Sequence, residues 1–356
     1  MSEQFTGSMQ ALTFTAPGKI SLTKKPIPKP GYGEALIRIT TTTICGTDVH
    51  ILRGEYPVKP GLTLGHEPVG TIAAMGPGVS GFTTGQRVIA GAITPCGQCH
   101  SCLGGHSSQC RGKPMGGWRF GNTIDGTQAE YALIPDAMAN LAPIPDQLSD
   151  EEVLMCPDIM STGFGGAENG NIQIGDTVVV FAQGPIGLCA TAGARLRGAS
   201  KIIVVDAVES RLIMARNIGA DITLNIKNSN PVEEILRLTE NRGADVAIEA
   251  LGSQQTFESC LRVLKPGGTL SSLGVYSKPL TIPLDAFNAG LGEHKIVTTL
   301  CPGGSERMRR LMSIVASGRV NFKPLVTHRF KLGQIIDAYE LFASQRDGVL
   351  KVAITP

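Results

Sequence analysis

The chain has 356 residues and a mass of 37.4 kDa, more than the roughly 250–300 residues a single core supports, so two domains are expected. Hydrophobic residues at 42% and charged residues at 17% exclude a disordered chain, and a net charge of +2 gives no footprint for nucleic acid or an anionic membrane. No apolar run is long enough for a membrane helix, and residues 1–5 lack the basic-then-apolar order of a secretory signal, so a cytoplasmic protein is expected.

Residues 8 to about 42 alternate short β-type runs, such as Ala35-Leu36-Ile37-Arg38-Ile39, with breaks at Pro26, Pro28, Pro30, Gly31 and Gly33. Residues 69–91 keep that style, so the first part reads as a β-rich, partly barrel-like unit. Ser149-Asp150-Glu151-Glu152 has the acidic first turn of a helix start. From 177 onward strands and helices alternate. Strands are predicted at Thr177–Phe181, Lys201–Asp206, 222–224, 245–249 and 268–273, and helices at 186–196, 209–217 and 231–240. That alternation predicts an α/β domain with a doubly wound parallel sheet. From about 300 the pattern is mixed again, as if the first domain resumed. The boundaries predicted are 1–160 with 300–356 for one domain and 161–299 for the other.

The 44 glycines exceed the roughly 25 that average usage gives, and they are dispersed. One group carries chemistry. Ala182-Gln183-Gly184-Pro185-Ile186-Gly187 follows a strand and opens a helix, matching G-x-G-x-x-G with Ala182 in the first glycine position. Gly184 allows close approach of a pyrophosphate, Gly187 allows tight helix–strand packing, and Pro185 and Ile186 start a helix whose N-terminus attracts the anion. Asp206 ends the next strand, where a ribose-binding acid belongs. Its carboxylate would accept both ribose hydroxyls and repel a 2′-phosphate, so NAD is expected rather than NADP. Arg211 either reaches the same ribose or lies on the helix surface.

Nine cysteines in a chain read as cytoplasmic favour metal or thiol chemistry over a disulfide framework. Cys96, Cys99, Cys102 and Cys110 follow C-x2-C-x2-C-x7-C, which suits a closed tetrahedral zinc site. An iron–sulfur centre is the competing metal reading. A closed thiolate site has no open position, so it holds a loop. His100 and His106, inside that loop, are expected to face solvent.

Cys45-Gly46-Thr47-Asp48-Val49-His50 and Gly65-His66-Glu67-Pro68-Val69-Gly70 stand out beside this loop, upstream of the dinucleotide pattern. With Gly117-Trp118-Arg119-Phe120, Asp158-Ile159-Met160-Ser161-Thr162-Gly163-Phe164 and Leu300-Cys301-Pro302-Gly303-Gly304, the chain resembles the zinc-dependent medium-chain alcohol dehydrogenases over essentially its whole length. Within them it is most similar to the microbial secondary-alcohol dehydrogenases. The resemblance implies a GroES-like β-rich catalytic domain and a Rossmann cofactor domain. It also implies two zinc ions per subunit, one catalytic and one structural. Cys45, His66 and Asp158 become the catalytic ligands, with Glu67 as a joining or exchanging fourth; Cys156, two residues from Asp158, competes for its role.

The same resemblance implies hydride transfer between a small alcohol or ketone and nicotinamide, with Thr47 receiving the hydroxyl proton and His50 releasing it to solvent. Trp118, Leu300 and Cys301 become pocket walls. Two departures stand out. The secondary-alcohol relatives are NADP enzymes with a Gly-Ser-Arg run where this chain has Asp206-Ala207-Val208, and they often lack the structural zinc. A homotetramer is the family habit. The runner-up readings are a polyol, 2,3-butanediol or threonine dehydrogenase of the same family, and, outside enzymes, a redox sensor that binds NAD without turnover. A zinc-free quinone reductase would not need Cys45, His66 and the four-cysteine loop.

Overall fold

Strand Ala35–Thr43 is the hub of the β-rich part, because almost every side chain along it is buried. It pairs antiparallel with Val69–Met75, with Tyr131–Ile134 and, at its end, with the C-terminal strand Lys351–Thr355. Arg87–Ala90 and Leu141–Pro143 extend the sheet on one side, and Val326–Lys331 on the other, giving seven strands. Ser8–Ala16 and Lys19–Pro26 form a separate hairpin. One core gathers Ile37, Ile39, Ile72, Val88 and Phe120; a second gathers Leu12, Ile44, Leu64, Tyr339, Val352 and Ile354. The computed structural model describes residues 7–112 and 116–356; residues 1–5, read above for a signal, lie outside the described residues.

The chain divides into two units, Met1–Ser161 with Cys301–Pro356, and Thr162–Leu300. The second unit is thus inserted into the first. Its six strands are all parallel, in the spatial order Ile222–Asn225, Lys201–Asp206, Thr177–Phe181, Ala244–Glu249, Leu264–Ser272, Lys295–Thr298. Numbered along the chain, that is the Rossmann order 3-2-1-4-5-6. Val178, Val179 and Val180 are fully buried, as a strand covered on both faces requires.

Two elements of the second unit, Gln254–Arg262 and Lys295–Thr298, were not legible as such. Helix Gln254–Arg262 has only nine residues, and its start is fixed by the Ser253 hydroxyl accepting from Thr256 N–H at 3.1 Å. The strand expected at 268–273 forms as Leu264–Ser272, starting earlier because it runs through Pro266-Gly267-Gly268, which reads as a break. Lys295–Thr298 is a largely exposed edge strand, so it lacks an apolar signature. The helix start at Ser149 forms as Asp150–Val153, with Glu152 folding back to accept the Ser149 N–H at 2.8 Å. Among the described residues no helix is long and apolar enough to cross a membrane.

Candidate active site

Cys45 lies two residues beyond the end of the hub strand and caps helix Gly46–Leu52. Asp48, at the third helical position, accepts the Cys45 N–H at 2.8 Å, which fixes the turn and aims the sulfur. The helix N-terminus favours the thiolate. Asp48 is fully buried and also accepts from Gln128 Nε2 at 3.3 Å, while Gln128 Oε1 takes the Tyr339 hydroxyl at 2.8 Å.

His66 follows Gly65, whose φ of +88° disfavours any side chain and whose Cβ would come 2.5 Å from Gln128 Cγ. The imidazole Nδ1 lies 3.4 Å from Asp48 Oδ1, and its Nε2 lies 3.4 Å from Asp158 Oδ2. A carboxylate behind the far ring nitrogen sets tautomer and orientation of a metal-ligating histidine. Burial works against a charged His66, but the Asp48 charge and a hydrogen bond to Asp158 raise its pKa well above the ordinary value.

Asp158 sits on the π-helical turn Cys156–Met160, a local widening that turns its carboxyl inward. Its Oδ2 lies 3.2 Å from Cys45 Sγ. Burial opposes the carboxylate, yet His66 and Lys351 hold its pKa below the usual range. Cys156 faces elsewhere: its sulfur packs 3.8 Å from Met160 Sδ, and burial pushes its pKa up to about 12. The geometry therefore brings Asp158, not Cys156, to Cys45 and His66. Cys301 is buried with its sulfur 3.6–3.7 Å from the Pro157 and Asp158 carbonyls, so it supports this turn.

Cys45, His66, Glu67 and Asp158 form one buried donor set, with ligand atoms within 4.8 Å of one another. Sulfur, imidazole and carboxylate at this spacing suit tetrahedral zinc. Among the described residues Glu67 Oε2 is buried without a hydrogen-bond partner, and burial together with the Asp158 carboxylate raises the Cys45 thiol. A dication would resolve both. Glu67 Oε1 is held 2.6 Å from Lys351 Nζ, and Lys351 also donates to the Ile44 carbonyl at 3.3 Å. Both charged groups are essentially fully buried. Burial pushes the Glu67 pKa up to about 7, with Lys351 acting in the opposite direction.

Lys351→Met would strand the Glu67 carboxylate. A loss of about 3–5 kcal/mol is expected in urea unfolding at neutral pH or above. Glu67 then titrates higher in the folded state than in the unfolded chain, so stability falls as pH rises through that interval. The deficit, compared with the parent in chelator-treated protein, is therefore expected to be smaller at pH 5 than at pH 8. An equal deficit at both would contradict the pairing.

The four-cysteine loop also converges, with sulfurs within 4.8 Å of one another. Cys99 Sγ lies 3.5 Å from Cys102 Sγ and 3.9 Å from Cys110 Sγ. Backbone N–H groups of Cys96 and Gly112 point at Cys110, and that of Arg111 at Cys99, at 3.2–3.3 Å. Donated hydrogen bonds from the Cys102 and Arg111 backbones lower the Cys99 pKa to about 6, while burial helps push Cys102 up to about 12. Thiolate-directed amides fit a metal site. His100 and His106 are exposed. Cys99→Ser is expected to remove one zinc per chain and lower the thermal midpoint by several degrees, read by metal analysis and calorimetry.

Thr47 Oγ1 lies 3.8 Å from Cys45 Sγ. His50, half-buried, hydrogen-bonds Glu55 through Nδ1, and its ring meets Tyr56 at a centroid distance of 5.4 Å. Tyr56 meets Trp118 edge-on at 5.8 Å. The Trp118 indole donates to the Phe120 carbonyl at 3.0 Å, so its ring presents an apolar surface. Leu300, 44% exposed, ends the second unit.

In that unit the turn after Thr177–Phe181 places Ala182 at φ +71°, a glycine-like conformation. A Cβ at Gly187 would collide with the Ala182 carbonyl, so close packing demands glycine there. A Cβ at Gly184 would meet nothing within 4 Å, leaving its face and the start of helix Pro185–Leu196 open. Asp206 accepts from Gln183 N–H at 2.6 Å and from Val208 N–H at 2.8 Å, tying the turn to the second strand. Arg211 lies in the first turn of helix Glu209–Ile218, half-buried.

Asp48, Gln128, Tyr56, Glu55 and Lys351 join the site without having been singled out from the sequence. Asp48 carried a readable signal, an acid three residues after a capping position. The others are brought in by tertiary pairing.

Residues 31–146 match the family described as Alcohol dehydrogenase GroES-like domain, and residues 185–317 that described as Zinc-binding dehydrogenase. A protein named alcohol dehydrogenase from Cupriavidus necator is 64% identical over 99% of this chain and 100% of its own length. An NADP-dependent isopropanol dehydrogenase from Thermoanaerobacter brockii is 35% identical, over 97% and 99%. Among solved structures, an alcohol dehydrogenase from Thermus sp. ATN1 superposes with a TM-score of 0.87 at 32% identity, over 98% and 99% of the two chains. With the donor sets above, these likenesses establish that the chain belongs to the zinc-dependent medium-chain alcohol dehydrogenase family.

Proposed function

We propose that this enzyme interconverts small secondary alcohols and ketones, with NAD(H) as hydride carrier. The carrying observation is the buried Cys45, His66 and Asp158 set, with Glu67 drawn toward Lys351. Three protein ligands leave a position for a substrate oxygen. Bound zinc supplies a Lewis acid that eases loss of the alcohol proton, and the bound dinucleotide supplies the hydride acceptor. Thr47, beside Cys45, receives the hydroxyl proton. His50, 38% exposed at its side chain, releases it to solvent, with Glu55 on Nδ1 leaving Nε2 for the transfer.

The apolar Trp118 and Tyr56 rings favour substrates with small uncharged substituents. Relatives named isopropanol dehydrogenases support the same class. Asp206 supports NAD, because its carboxylate would face a 2′-phosphate with like charge. A homotetramer is supported by the outer edge of Lys295–Thr298, which pairs on one side only among the described residues, and by exposed Leu284 and Leu291 nearby in sequence.

Initial rates with NAD across ethanol, 2-propanol, 2-butanol, 2,3-butanediol, sorbitol and threonine test the substrate class. Fastest turnover with 2-propanol or 2-butanol is expected. Turnover confined to polyols or threonine would overturn the pocket reading, and none at all would favour a non-catalytic NAD binder.

A further inference from the structure

Arg119 is 1% exposed, and a buried guanidinium cannot shed its charge. It must therefore be met by anions. Nη1 donates to Asp136 Oδ2 at 2.8 Å, Nη2 lies 3.4 Å from Cys110 Sγ, and Nε points at the Gly116 carbonyl at 3.4 Å. Asp136 keeps this post at φ +46°, a conformation unfavourable for a residue with a side chain. A Cβ on Gly112 would come 3.0 Å from Arg119 Nη2, so the loop closes tightly over the guanidinium.

Four thiolates around one zinc ion leave a net charge of −2, and here one of the sulfurs sits against a buried cation. The same segment is stitched to the loop by backbone. Gly116 N–H donates to the Cys110 carbonyl at 2.8 Å, and Gly117 N–H to the Ser108 carbonyl at 3.2 Å. Thr94 N–H donates to the Gly117 carbonyl at 2.8 Å, and Trp118 bridges Ile93. Trp118 is the residue immediately before Arg119, and its ring stands against Tyr56, which stands against His50.

We propose that Arg119 is a positioning residue of the four-cysteine site, and that through it metal occupancy at this site fixes the Trp118 ring against Tyr56, which in turn stands against His50. The inference rests on the four cysteines holding zinc. It gives the structural site a reach into the candidate substrate pocket.

Trp118 is the sole tryptophan of the chain, so its emission reports on this one place. A His66→Ala background disables the other metal site and leaves one zinc to follow. In that background, zinc transfer to the chelator 4-(2-pyridylazo)resorcinol, tryptophan emission, and the thiolate-to-cobalt absorption of cobalt-substituted protein are measured. Arg119→Met is expected to weaken metal retention by about 10–100-fold, the usual effect of removing a partner of a metal ligand. Arg119→Lys should fall between it and the parent. Stripping zinc from the parent should shift Trp118 emission, and Arg119→Met should show part of that shift with metal bound, together with an altered cobalt band.

Zinc retained at the parent's rate in both Arg119 variants would overturn the inference while leaving the metal site standing, as would Trp118 emission blind to zinc. No zinc in the His66→Ala parent would overturn the metal reading and the inference together. If Arg119→Met does not fold, Arg119→Lys carries the test, since parent-like release from it would be equally contrary.

Discussion

His66→Ala is expected to reduce alcohol oxidation by about a thousandfold or more, while NADH binding, read by fluorescence titration, stays within a few-fold of the parent. Polarisation by the metal is worth several kcal/mol, and each ~1.4 kcal/mol is tenfold in rate. With zinc held by Cys45, His66 and Asp158, the imidazole would be the neutral ligand beside two anionic ones. Its removal takes away the Nε2 that lies 3.4 Å from Asp158 Oδ2 and leaves Asp48 buried without its ring partner. Metal affinity should fall with activity, so zinc content at that site and turnover decline together. The cofactor turn belongs to the other unit and contains none of these residues. Cys45→Ala is expected to act in the same way. Full turnover in both variants would rule out the catalytic metal assignment. Lost NADH binding with zinc retained would place His66 in the wrong role.

Asp206→Gly combined with Val208→Arg is expected to move preference from NAD toward NADP. At ~4 Å and an effective dielectric near 20, a carboxylate and a phosphate charge repel by about 4 kcal/mol, or roughly a thousandfold before screening and relaxation. Removing Asp206 lifts that term, and Arg at 208 adds a partner. The change has a local cost, because Asp206 accepts the Gln183 and Val208 amides. Lower overall activity is thus expected alongside the switch, and the ratio of kcat/KM values for the two cofactors is the proper readout. An unchanged ratio would place the ribose site elsewhere.

Much of this architecture was legible because it is written locally. Thr177–Phe181 and Lys201–Asp206 are short apolar runs bounded by turn residues, and both form at the predicted bounds. The four cysteines lie within one loop, so their spacing alone brings the sulfurs together. Asp158 was harder, since Cys156 lies two residues away; the π-helical turn Cys156–Met160 distinguishes them, and no spacing rule encodes it. Lys351 could not be found from its neighbours in sequence. It reaches Glu67 only because Lys351–Thr355 returns to pair with the hub strand beside Cys45. Arg119 read as part of a motif next to a tryptophan, and its buried contact with Cys110 needed the folded loop. Cys301 reads from the sequence as a pocket wall; that its sulfur also meets the Pro157 and Asp158 carbonyls depends on how the chain returns at 301 to the Asp158 turn.

The most direct test is the initial rate of 2-propanol oxidation by the intact, zinc-replete protein, with NAD and with NADP, before and after metal removal by a chelator. Expected is NAD reduction that the chelator abolishes and added zinc restores, with NADP poorer by about a hundredfold or more, allowing for screening of the repulsion at Asp206. Turnover that survives loss of both metals, or that runs equally well with NADP, would contradict the roles given to the Cys45, His66 and Asp158 set and to Asp206.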